Sequence, residues 1–122
     1  MNSIKSYREL EVWKRAKGFA VLIYRVTDEF PGEERFGLIS QLRRAAVSIA
    51  SNIAEGFGRK SLKEKIQFLR VSYGSCAEIG TQIEIAHELG YISSTVFREV
   101  LDDLEVIMKM INSAIKKIGD RE

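Results

Sequence analysis

Apolar positions recur in steps of three and four along four stretches of the chain, and no stretch alternates strictly between apolar and polar. From Leu10 to about Asp28, the positions Leu10, Trp13, Ala16, Phe19, Ala20, Ile23, Tyr24 and Thr27 follow the period of an amphipathic helix. Phe30, Pro31 and Gly32 end it, because the residue before a proline is pushed out of the helical region. A second helix is expected over about 34–55, with Glu33 and Glu34 at its positive end and Gly56 and Gly58 as the C-terminal break. Ser61 followed by Glu64 is a capping-box pattern that opens a third helix over about 61–89. Its expected inward positions are Ile66, Leu69, Tyr73, Cys76, Ala77, Gly80, Ile83 and Leu89, and Gly90 closes it. The fourth helix runs over about 94–118 through Phe97, Leu101, Leu104, Ile107, Met108, Ile111 and Ile115. Short connections make successive helices antiparallel, so the predicted fold is all-α, an antiparallel up-down-up-down four-helix bundle. At 122 residues, the chain is read as one domain over 1–122.

The second helix departs from simple amphipathicity. Arg44, Ser48, Asn52 and Glu55 share one face, while Ala45, Ala46, Ile49, Ala50, Ile53 and Ala54 fill most of the remainder. A helix small or apolar over most of its circumference belongs inside something. The third helix repeats the feature with Ser72, Ser75 and Gln82, and with Glu78 at the edge. Charges stranded in a core cost several kcal/mol, so Arg44, Ser48, Asn52, Glu55, Ser75 and Glu78 are expected to satisfy one another in a buried polar network. Gly74 and Gly80 inside the third helix each cost roughly 1 kcal/mol relative to alanine, which points to close approach of a neighbouring backbone. The alternative for Glu55 and Glu78 is a carboxylate pair for acid/base or metal chemistry. Nearby Arg, Asn and Ser side chains able to neutralise them favour the structural lock.

Other chemistry is thin. Glu84 and His87 form half of a helical di-iron motif, but His87 is the only histidine, and a surface or interface role is the simpler reading. The segment from Gly56 to Ser61 fails as a phosphate loop, since Arg59 stands where glycine is needed and the segment follows a helix. Cys76 is alone, so the chain forms no internal disulfide, and its small and apolar company suits an inert core thiol. No catalytic residue, metal ligand or cofactor is indicated.

Charge adds a second theme. Net charge is only +2, yet residues 1–70 carry +6 and residues 71–122 carry −4. Arg59, Lys60, Lys63 and Lys65 cluster between the second and third helices, Lys14, Arg15 and Lys17 form another group, and Arg43 and Arg70 could extend either. Such runs are either solvated surface or phosphate contacts for nucleic acid, and Lys14, Lys17, Arg59, Lys60, Lys63 and Lys65 are the residues that would make those contacts. Phe57 and Tyr73 lie near the first group, and binding by shape and charge fits better than base stacking. The charged opening segment lacks the apolar core of a secretion signal, and no apolar run is long enough to span a bilayer. A cytoplasmic protein without membrane contact is therefore expected.

The stretches LEVWKRA, RRAAVSIASNIAEGFGR, FLRVSYGSCAEI and HELGYI, with the break at Phe30 and Pro31, cover nearly the whole chain. Together they resemble the bacterial four-helix-bundle proteins encoded by intervening sequences inserted in 23S ribosomal RNA genes. Arg44, Ser48, Asn52, Glu55, Gly56, Gly58, Ser75, Glu78, Gly90 and Tyr91 match that family's pattern. The resemblance implies a short bundle that associates as a ring, a homopentamer, with no established enzymatic activity. That family is in turn similar to the accessory protein of diversity-generating retroelements, a basic pentameric barrel that binds nucleic acid and reverse transcriptase. A homo-oligomer that binds structured RNA or DNA is the reading this favours, and a scaffold without nucleic acid is its rival.

Overall fold

The computed structural model describes residues 4–121. Four helices follow one another: α1 (Glu11–Thr27), α2 (Leu38–Phe57), α3 (Leu62–Glu88) and α4 (Ser94–Gly119). Short 3₁₀ turns at Tyr7–Glu9 and Gly32–Glu34 precede α1 and α2. Ser61 and Ser93 act as N-caps, their side-chain oxygens accepting the backbone N–H of Glu64 and Val96. α3 ends where Gly90 adopts φ +81°, a left-handed conformation that favours glycine, and the Tyr91 N–H then returns to the Ala86 carbonyl at 2.9 Å.

Each helix packs on its sequence neighbour, and α1 closes the square against α4. The core is filled by Phe19 and Ile23 of α1, Leu42, Ile49 and Ile53 of α2, Cys76, Ile79 and Ile83 of α3, and Val100, Leu104, Ile107 and Ile111 of α4. Burying each large apolar side chain contributes about 1.5–3 kcal/mol, which makes this shared core the main source of stability. At one end of the bundle Phe30 packs on Tyr91 at 5.4 Å, and the Tyr91 hydroxyl donates to Glu34 at 2.9 Å, a bond that raises the tyrosine pKa. Among the described residues, no helix is long and apolar enough to cross a membrane.

Three expectations need correction. α2 starts at Leu38 and not near Glu34, because residues 32–34 wind as a 3₁₀ turn and Gly37 leaves helical geometry with φ −109° and ψ −114°. Glu34 still serves the positive end of α2, but from outside the helix, its carboxylate accepting the Leu38 N–H at 3.1 Å. Ala77 and Leu89 face solvent, and the inward face of α3 runs instead through Leu69, Ser72, Cys76, Ile79, Ile83 and Ala86. A Cβ added at Gly74 would meet nothing within 4 Å, and one at Gly80 would make only an ordinary 3.6 Å contact with Leu104. The close approach occurs at Gly56, where an added Cβ would lie 3.0 Å from Phe68 Cβ and 3.4 Å from the Lys65 carbonyl oxygen.

Candidate functional site

α2 and α3 meet along a seam of polar side chains. Ser75 Oγ donates to Ser48 Oγ at 3.0 Å, and Asn52 Nδ2 donates to the same hydroxyl at 3.0 Å and to the Ser48 carbonyl at 2.9 Å. Ser72 Oγ donates to the Ile49 carbonyl at 2.9 Å, and Gln82 Nε2 donates to Gln41 at 3.3 Å. The pairing predicted between the two helices is thus present, with Ser75 buried and Ser48 and Asn52 half-buried. Its charged members are not buried within the chain. Arg44 and Glu78, 67% and 46% exposed, make a 3.6 Å ion pair on the outer edge, while Glu55, 58% exposed, pairs with Arg59 at 3.0 Å one turn along. The reason is geometric: Ala45, Ala46, Ile49 and Ile53 take the inward face of α2, and the polar stripe lies beside them on the flank that borders α3.

Glu55→Ala is therefore expected to cost no more than about 0.5 kcal/mol in unfolding free energy, as for an exposed i,i+4 pair, and urea titration of the variant checks this. Glu55 and Glu78 are separately engaged by Arg59 and Arg44, so they do not form a shared carboxylate site. His87 lies flat against Phe97, ring centroids 4.2 Å apart, with Nε2 3.3 Å from Ser94 Oγ. Cys76 is buried, and burial pushes its thiol up to about 12. Its alkylation at pH 8 should be negligible in the native protein and rapid in denaturant. Since the folded state holds this proton more tightly, the contribution to stability is intact below the unfolded thiol pKa near 8.5 and is lost as pH rises toward 12.

The antiparallel fold brings the two predicted basic groups to the same end. Tyr7, ahead of α1, lines one cleft with Glu55, Gly58 and Arg59 at the end of α2, and Lys17 lines the adjoining groove with Ser51 and Ala54. Arg59 is held by Glu55 and by Glu64 at 3.9 Å and lies over the Phe68 ring at 4.7 Å. Lys65 Nζ donates to the Phe57 carbonyl at 2.8 Å, fastening the turn. Lys14 pairs with Glu11 at 3.4 Å, and Lys17 sits 5.0 Å over Trp13. Lys60 and Lys63 are exposed and have no ion pair among the described residues. Arg43 is committed to the other end, where it binds Thr27 and the Tyr24 carbonyl and pairs with Asp28 at 3.0 Å.

The sequence pattern of the 23S rRNA-intervening sequence proteins matches residues 8–113, a span that holds α1, α2, α3 and α4 as far as Ser113, with both basic groups and the whole polar seam. The chain belongs to this family. Among solved structures it is similar to a protein of unknown function from the S23 ribosomal protein family of Bacteroides thetaiotaomicron, with 25% identity and a TM-score of 0.78. That likeness covers 86% of this chain and 98% of the other. No curated protein matches significantly.

Two features of this family member were not read from its sequence. Halved across its long axis, the bundle carries fourteen Lys or Arg against five Asp or Glu in residues 4–18, 49–74 and 107–121, a net +9. The opposite half, residues 19–48 and 75–106, has five against eleven, a net −6. The signal lay in the antiparallel order, since a split at residue 70 mixes the two ends. The second feature is a groove of about 550 Å³ between α1 and α2, bordered by the exposed Val21, Tyr24 and Val47 and floored by Ala20, Ala50 and Ala54.

Proposed function

We propose that this protein is a non-enzymatic homo-oligomer that holds structured RNA or DNA through phosphate contacts from Lys14, Lys17, Arg59, Lys60, Lys63 and Lys65. The observation that carries the reading is the convergence of these cations on a bundle half of net +9, although the chain as a whole is only +2. A field of that asymmetry attracts a polyanion to one end and repels it from the other. Self-association is supported by the exposed apolar groove beside α2 and by Gly18 and Gly74, exposed helical glycines at which an added Cβ would meet none of the described residues within 4 Å. The ring of five that the family resemblance implies is the assembly we propose.

The test is a filter-binding series with a labelled RNA hairpin and a DNA duplex, run beside a light-scattering mass. Two to six engaged cations give a slope of log K against log salt of about −2 to −5, or roughly a 10- to 1,000-fold loss between 50 and 200 mM salt. Absence of retention at low salt rejects the nucleic-acid part. If Lys60→Glu with Lys63→Glu lowers the oligomer mass and leaves retention unchanged, the cluster serves a scaffold.

A further inference from the structure

We infer that the polyanion contact extends across the whole basic end, with the C-terminal turn of α4 as its second arm: Lys116, Lys117 and Arg121 bind phosphates together with Lys60 and Lys63. This rests on the nucleic-acid reading above and deepens it. Arg121 and Lys65 line one cleft of about 290 Å³, floored by Ile53, Gly56 and Ile118, so the α4 end and the α2–α3 turn are parts of one surface. Lys117 lines a neighbouring cleft with Lys109 and with Glu11 at the start of α1.

Of the five acids at this end, four are already engaged, and the fifth, Asp120 at the C-cap of α4, has no ion pair among the described residues. Glu55 and Glu64 hold Arg59, Glu11 holds Lys14, and Glu9 accepts the backbone N–H groups of Lys5 and Ser6. Five carboxylates against fourteen cations, with Asp120 the one left over, still leave most of the positive charge at this end without an internal partner. Helix electrostatics explains only part of the pattern. Lysines in the last turn of α4 suit its negative end, and Lys65 in the first turn of α3 is bound to the Phe57 carbonyl, whereas Lys63 in that same turn stands where the macrodipole disfavours a cation and has no ion pair among the described residues. A cation placed against the helix field without an internal partner, beside others placed with the field, is arranged for something outside the chain. Four packed helices present an end about 20 Å across, far wider than one phosphate and comparable to a run of phosphates along a duplex. The occupant is therefore a nucleic-acid backbone and not a mononucleotide.

The experiment compares wild type, Lys60→Glu with Lys63→Glu, Lys116→Glu with Lys117→Glu, and the acidic-end control Arg98→Glu, using the same RNA hairpin. Circular dichroism and mass confirm folding, and Lys116→Gln with Lys117→Gln replaces the charge reversal if that variant does not fold. The α4 pair should weaken binding at least 10-fold and make the salt slope shallower by about 2, while Arg98→Glu stays within twofold of wild type. Inorganic phosphate at matched ionic strength should not displace the RNA. An α4 pair that binds like wild type, while the Lys60 and Lys63 pair does not, overturns the second arm and leaves the proposed function standing. Displacement by phosphate overturns the extended contact, and no binding by wild type overturns both.

Discussion

Phe19→Ala should destabilise the bundle by about 3–5 kcal/mol, the range for removing a fully buried aromatic ring from a core that cannot collapse around the void. Phe19 is 1% exposed and belongs to the cluster that α1 shares with the other helices. A domain of this size is stable by only about 5–15 kcal/mol, so the variant should sit near its unfolding threshold at 37 °C. Urea unfolding followed by circular dichroism should show the midpoint falling with little change in slope. A loss below 1 kcal/mol would mean that α1 is not packed as described.

The second large effect is expected at Gly56. In Gly56→Val the new Cβ would meet Phe68 Cβ at 3.0 Å and the Lys65 carbonyl oxygen at 3.4 Å, and two further methyl carbons would follow. Both obstacles belong to the rigid first turns of α3, so the helices must separate, at about 1–3 kcal/mol for overpacking. The same movement displaces the turn that Lys65 fastens to the Phe57 carbonyl. Thermal stability and RNA retention should therefore fall together in Gly56→Val, whereas Gly74→Ala, with open space around its Cβ, should leave both unchanged or raise stability by up to about 1 kcal/mol. If Gly56→Val melts like wild type, the close approach is not tight.

Helix number, order and most of the core were legible because the 3.6-residue period is strong and only one proline interrupts it. The start of α2 was not, because acidic residues near 33–34 read as a helix N-terminus, whereas the 3₁₀ turn and Gly37 delay the helix to Leu38 and leave Phe36 87% exposed. Spacing put Arg44, Ser48, Asn52 and Glu55 on one face, and the structure keeps them there. Spacing could not say which face pointed inward. The choice went to the alanines, whose small size lets the backbones come together while the polar stripe stays at the flank. The role of Gly56 was likewise hidden: mid-helix glycines looked costly and therefore meaningful, while the glycine at the helix end looked like mere punctuation. The basic groups were visible as groups, but a linear string cannot show that residues near 14, 60 and 117 share one end.

The separation of +9 from −6 along a rod of four helices makes the molecule behave like a compass needle. A polyelectrolyte within a Debye length, about 10 Å at 0.1 M salt, exerts a torque on it as well as a pull. For the nucleic acid we propose as partner, orientation would thus be selected before any side chain touches it, and collisions that begin with the wrong pole forward would be turned into productive ones.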